Sequence, residues 1–193
     1  MYDDVTVRVY QAYGQTIAEA ALAAQTLVPP FRRNRMTWVK PSFGWMMYRS
    51  GWATKPGQER ILAIDITREG FEWALAHSCL SQFDPRCYEA HTAWLAAKQI
   101  CPVRIQWDAE RSPRFERLEY RTIQIGLARD AIVQYVENWI HRILDLTDYA
   151  TAMRERVKSE RPAQYEDEWP LERPYPLAMQ LERTIGIASG DVK

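Results

Sequence analysis

The residues best equipped for chemistry lie between Arg32 and Gln58, in the run RRNRMTWVKPSFGWMMYRSGWATKPGQ. Six cations (Arg32, Arg33, Arg35, Lys40, Arg49 and Lys55) stand there among five aromatic rings, with no Asp or Glu between them. Cations hold phosphate and flat rings stack on bases, so the run suits a ligand that carries both, a dinucleotide or a nucleic acid. Elsewhere the charges compensate, since the whole chain has 25 basic and 25 acidic residues. Binding of nucleic acid through bulk charge is therefore not expected, and any such contact must come from this patch.

Two further positions stand out because they interrupt strand-like runs. Asp65 is an acid within ILAIDI, and Gln124 is an amide within RTIQIGL. If each strand turns its apolar residues to the core, the opposite faces carry Arg8 and Tyr10, Asp65, Arg104 and Gln106, and Gln124. Such a face is a polar cleft beside the basic run. It is equally served by a cross-strand ion pair of Asp65 with Arg8 or Arg104.

Other chemistries have little support. Cys79, Cys87 and Cys101 form no CxxC and are odd in number, which fits reduced thiols in a cytoplasmic protein. His77, His91 and His141 are far apart, and no HExxH occurs, so no metal site is expected. The GxSxG, GxxxxGK[ST] and GxGxxG signatures are all missing. MYDDVTVRVY lacks the basic and apolar regions of a signal peptide, and no window approaches the length of a membrane span.

The elements that must position these residues follow from period and punctuation. Val5, Val7 and Val9 alternate with polar residues in a first strand. Thr16 to Glu19 reads as a capping box opening a helix to about Gln25. Pro41 forces Lys40 to be extended, so TWVK ends a short strand, and Ser42 caps a two-turn helix that Gly51 stops in a left-handed conformation. Free N–H groups at that helix start offer an anion site. Lys55-Pro56-Gly57-Gln58 fits a type II turn. ERILAIDIT follows as a central strand covered on both sides, and Thr67 caps the next helix. Strands are expected at PVRIQWD and RTIQIGL, then a long helix over about 128–144 with an apolar stripe at 132, 136, 139, 140 and 143. The composition implies one α+β domain over 1–158, a mixed, mainly antiparallel sheet with packed helices, and a Pro-rich acidic arm over 159–193. Glu166, Asp167, Glu168 and Glu172 in that arm could pair with the basic run.

The run MTWVKPSFGWMMYRSGWATKPGQERILAIDITREGFEWAL, with VRVYQAY, VRIQWDAER and RTIQIGLARDAI, closely resembles the family catalogued as domain of unknown function 4291. In element order the chain is more distantly similar to the ADP-ribosyltransferase superfamily. That likeness implies NAD contacts from Arg8 and Tyr10 on the first strand and from Lys40 and Ser42 near the second. It also places Gln124 where that superfamily usually carries a catalytic Glu; relatives that process RNA 2′-phosphates use Arg and His instead of that acid.

Together these readings point to a nucleotide-using transferase with NAD as its cosubstrate. Arg35, Lys40, Ser42, Arg49 and Lys55 would hold phosphates, Trp45 or Trp52 would stack a base, and Tyr48 and Gln58 would border the site. Gln124 and Asp65 would stand near the reacting ribose. The alternative is a module that clamps single-stranded nucleic acid without catalysis. A third reading is an interaction protein whose basic run docks the acidic arm. Side chains converging on one pocket favour the small molecule, and a long open groove favours the polymer.

Overall fold

Alternating Val and Tyr in TVRVYQAY make strand β1 (Thr6–Tyr13), which in the computed structural model pairs antiparallel with β3 (Arg60–Thr67). The structure describes residues 1–159 and 162–187. β3 is central, with β7 (Ile140–Asp145) antiparallel on its other side. A second sheet has the order β2 (Thr37–Val39), β6 (Arg117–Leu127), β5 (Val103–Arg111) and β4 (Ser78–Leu80), and only the β4–β5 pair is parallel. The sheets meet where Tyr10 and Lys40 exchange backbone hydrogen bonds, 2.7 Å from the Tyr10 N–H and 3.3 Å from the Lys40 N–H. The fold is thus α+β and mainly antiparallel, but in two sheets where one was expected.

Each face of the three-stranded sheet buries apolar residues. Val7, Val9, Leu62, Ile64, Ile66 and Ile143 join a large core with Ile105, Ile123, Ile125 and Leu127 of the second sheet. Tyr10, Ile61 and Ala63 point the other way, into a smaller core with Phe43, Met46, Met47 and Trp52. The uninterrupted apolar character of β3 follows from this double coverage.

Helices α1 (Gln15–Ala24), α3 (Arg68–Ala76), α4 (His91–Ile100), α6 (Thr147–Ser159) and α7 (Met179–Thr184) surround the sheets. Helix α2 (Phe43–Ser50) begins where the Ser42 hydroxyl accepts from the Trp45 N–H and ends at Gly51, whose φ is 62°. Thr67 caps α3 through the Gly70 N–H. The capping box at Thr16 does not form, because the N-cap is Gly14, two residues earlier, and Glu19 accepts from the Gln15 side chain.

The long helix expected over 128–144 is absent. A short α5 (Asp130–Gln134) widens into a π-helical turn at Tyr135–Trp139, and the chain then enters β7. Ile66 pairs with Ile140 and Asp65 with Arg142, so His141 is an extra residue in a bulge. That bulge turns Ile140 and Ile143 to one face and imitates helical spacing. Pairing with the exposed edge of β3 outweighs local helix preference.

The C-terminal segment is built into both cores. Tyr165 and Trp169 join the smaller core, and Ile185 the larger. Glu172 accepts a 2.7 Å hydrogen bond from the Phe43 N–H, while Glu168 pairs with Arg156. The expected pairing of this arm with the basic run takes the form of one carboxylate on a helix start. Residues 160–161 and 188–193, also assigned to the arm, lie outside the described residues.

Candidate functional site

A cleft of about 670 Å³ opens between the loop before β2, helix α2, the turn after it, and the outer face of the four-stranded sheet. Arg32 and Arg35 stand on one wall, Arg49 and Gln58 on the other, with Trp38 and Trp45 between them and Gln106 and Gln124 on the floor. Among the described residues, no Asp or Glu lines it.

The walls follow from local structure. Trp45 and Arg49 are one helical turn apart and share a face of α2. Gly57, at a φ of 75°, and the 3.0 Å bond from the Gln58 N–H to the Lys55 carbonyl make the type II turn that brings Gln58 under Arg49. Gln58 Oε1 there accepts from the Arg49 guanidinium at 3.1 Å. Trp38 lies across the sheet over Gly126, where a Cβ would come within 3.0 Å of the indole and 2.7 Å of the Met36 sulfur. Only glycine leaves room for it. Gln11 braces the back wall, donating to Thr37 Oγ1 and the Trp38 carbonyl and accepting from the Tyr135 hydroxyl.

The floor is organised around Asp108. Gln106 Nε2 donates to Asp108 Oδ1 at 2.9 Å, and Gln124 Nε2 donates to Oδ2 at 3.1 Å. Beneath them Lys40, 1% exposed, sets its ammonium 3.4 Å from Oδ2, 3.2 Å from the Thr122 carbonyl and 4.2 Å from the Trp45 ring centre. Two of those contacts are hydrogen bonds and the third is a cation–π contact. Burial still pushes its pKa down to about 8, against the opposing pull of Asp108 and Glu110.

Of the residues expected at the site, Arg35, Trp45, Arg49, Gln58 and Gln124 meet in this cleft. Lys40 lies under it, as an internal charge and not a phosphate ligand. The others lie elsewhere. Asp65 is clamped between Arg8 and Arg142, each at 2.7 Å, on the three-stranded sheet. The polar face inferred from alternation is thus divided between two sheets, and Arg8 and Asp65 serve the ion pair. Tyr10 and Trp52 are enclosed in the smaller core, where Trp52 stacks on Phe115. Ser42 is spent on its cap. Tyr48 faces away, between the Arg111 guanidinium at 4.2 Å and Phe115. Lys55 donates to the Tyr48 and Arg49 carbonyls and closes the end of α2. At the start of α2 the Phe43 N–H goes to the carboxylate of Glu172 and the Trp45 N–H to Ser42, so a protein carboxylate already occupies the expected anion position.

Trp38 and Asp108 were not among the expected site residues, and Gln106 was placed on the polar face without a role of its own. Their signal was present in the alternation of TWV and of VRIQWD, which puts Gln106 and Asp108 on the face of Gln124 across the β5–β6 pair.

A family model described as "Domain of unknown function (DUF4291)" matches residues 1–175. The chain belongs to this family. Its match spans both sheets and the whole cleft, so the site described above is a feature of the DUF4291 region itself. No curated protein and no solved structure matches the chain.

Proposed function

We propose that this DUF4291 protein is a nucleotide-using transferase whose cosubstrate is NAD, acting in the cytoplasm. The observation that carries the reading is the convergence of Arg32, Arg35 and Arg49 with two indoles in one concave cleft that no carboxylate of the described residues lines. Its volume lies in the range of small-molecule sites. Arg32 and Arg35 make no ion pair or hydrogen bond with any described residue, so their charge is free for a pyrophosphate. Trp38 is half-buried and offers a base more surface than Trp45, which is 8% exposed.

Bound NAD supplies an ADP-ribosyl group, released when the bond between ribose C1′ and the nicotinamide nitrogen breaks and the electron pair leaves with nicotinamide. The arginines would hold the phosphates, and the indoles would exclude water. The floor oxygens would favour the positive charge that develops on the ribose.

The test is calorimetry with NAD and with a single-stranded oligonucleotide, followed by assay of nicotinamide release. NAD binding with a shallow salt dependence supports the reading. A clamp on single-stranded nucleic acid instead weakens steeply, by roughly 0.7 per phosphate contact in a log–log plot. Absence of NAD binding at low salt refutes the proposal.

A further inference from the structure

Asp108 carries more information than its ion pair with Lys40. An ionised carboxylate has acceptor atoms only, so any amide that bonds to it must present its NH2. Gln106 and Gln124 do so, one to each oxygen of Asp108, at 2.9 and 3.1 Å. The direction of both amides is therefore set by chemistry. Each side chain also lines the cleft. One N–H of each amide is taken by Asp108, and among the described residues neither carbonyl oxygen accepts a hydrogen bond, so each amide leaves the cleft an unpaired acceptor beside its second N–H.

The buried Lys40 ammonium stands 3.4 Å from the same carboxylate and holds it in place under the two amides. The cleft consequently has two unlike ends: walls with guanidinium donors for anions and a floor with a pair of acceptors. A ligand that matches both must carry phosphate at one end and hydrogen-bond donors or positive charge at the other.

We infer that Gln106 and Gln124 form an acceptor pair for a cationic, donor-bearing ring, with Asp108 and Lys40 as the positioning residues that fix their direction. This deepens the transferase reading and rests on it. Oxidised nicotinamide has the required chemistry, a pyridinium charge with a carboxamide NH2. The reduced ring keeps the carboxamide and loses the charge, so the floor should prefer NAD+ to NADH.

The experiment measures dissociation constants of NAD+, NADH and ADP-ribose for the wild type, Asp108→Asn and Gln124→Met, by tryptophan fluorescence and calorimetry. An asparagine at 108 can donate as well as accept, so the two glutamines are free to reverse. Methionine at 124 removes one acceptor, together with one amide donor to Asp108, and keeps the Lys40–Asp108 pair. The wild type should favour NAD+ over NADH about tenfold, the scale of one hydrogen bond to a charged group. Both variants should bring the two within about threefold while ADP-ribose, which lacks the ring, binds as before. Equal wild-type affinity for NAD+ and NADH, or an unchanged preference in Gln124→Met, overturns the inference even if Asp108→Asn fails to fold. ADP-ribose and NAD+ binding without that preference leaves the transferase reading standing, whereas a wild type that binds neither refutes both.

Discussion

Lys40 gives the sharpest handle on stability. Its ammonium has an ordinary pKa of 10.5, and burial in the fold lowers it to about 8. Between those values the unfolded chain holds a proton that the folded chain has released. Stability therefore rises with pH across this window, by up to about 1.4 kcal/mol per pH unit. The full difference is about 3 kcal/mol, and about 2 kcal/mol of it should develop between roughly pH 7 and pH 9.5. Other groups titrate nearby: burial lowers the pKa of the Met1 amine, raises the Cys79 thiol to about 11 and raises Tyr10, Tyr13 and Tyr135. The raised acids act in the opposite sense, removing stability as pH climbs through their unfolded values. A difference measurement separates them. Urea unfolding of the wild type and Lys40→Met over that pH range should give curves that diverge in favour of the wild type by about 2 kcal/mol as pH rises. Parallel curves would refute the claim that Lys40 is folded in as a destabilised charge.

Asp65→Ala should cost about 2 kcal/mol in denaturant unfolding, because it leaves two guanidinium groups without their acceptor, yet leave nucleotide affinity unchanged. A loss of binding at wild-type stability would return Asp65 to the site. Arg49→Ala removes a cleft cation held only by the neutral Gln58, so nucleotide affinity should fall about tenfold in calorimetry with little change in thermal midpoint. Glu172, whose pKa burial raises to about 7 against the pull of the Phe43 N–H, should make the wild type gain stability as pH falls from there toward its unfolded value of 4.5. Glu172→Gln keeps an acceptor for that N–H, and its unfolding curve should lose this slope.

Features decided by neighbouring residues were legible in the sequence. Ser42, Gly51 and Thr67 mark helix ends because each acts within a few residues, and the Pro56-Gly57 turn is equally local. Features decided by pairing at a distance were not. Nothing within IHRILD distinguishes a third strand on β3 from the end of a helix, since a single bulge at His141 gives both the same apolar spacing. Alternation located the polar face of β5 and β6 correctly, whereas the face of Tyr10 on β1 and of Ala63 on β3 is covered by the smaller core. Nor could alternation show that the bridge between Tyr10 and Lys40 divides these strands into two sheets and takes Asp65 away from Gln124.

The basic run shows why charge density along a chain overstates a binding site. Its six cations are alike in sequence, but the fold neutralises half of them. Arg33 pairs with Glu137, Lys40 is drawn under the sheet to Asp108, and Lys55 turns back onto the carbonyls at the end of α2. What separates the remaining three is geometry. Arg32 and Arg35 leave a loop where no described acid reaches them, and Arg49 leaves the face of α2 that carries Trp45, toward an uncharged amide. The cleft is cationic because these three have no counterion among the described residues. A ligand phosphate entering it has no protein carboxylate to displace, which is why its affinity should depend on the arginines while the stability of the fold does not.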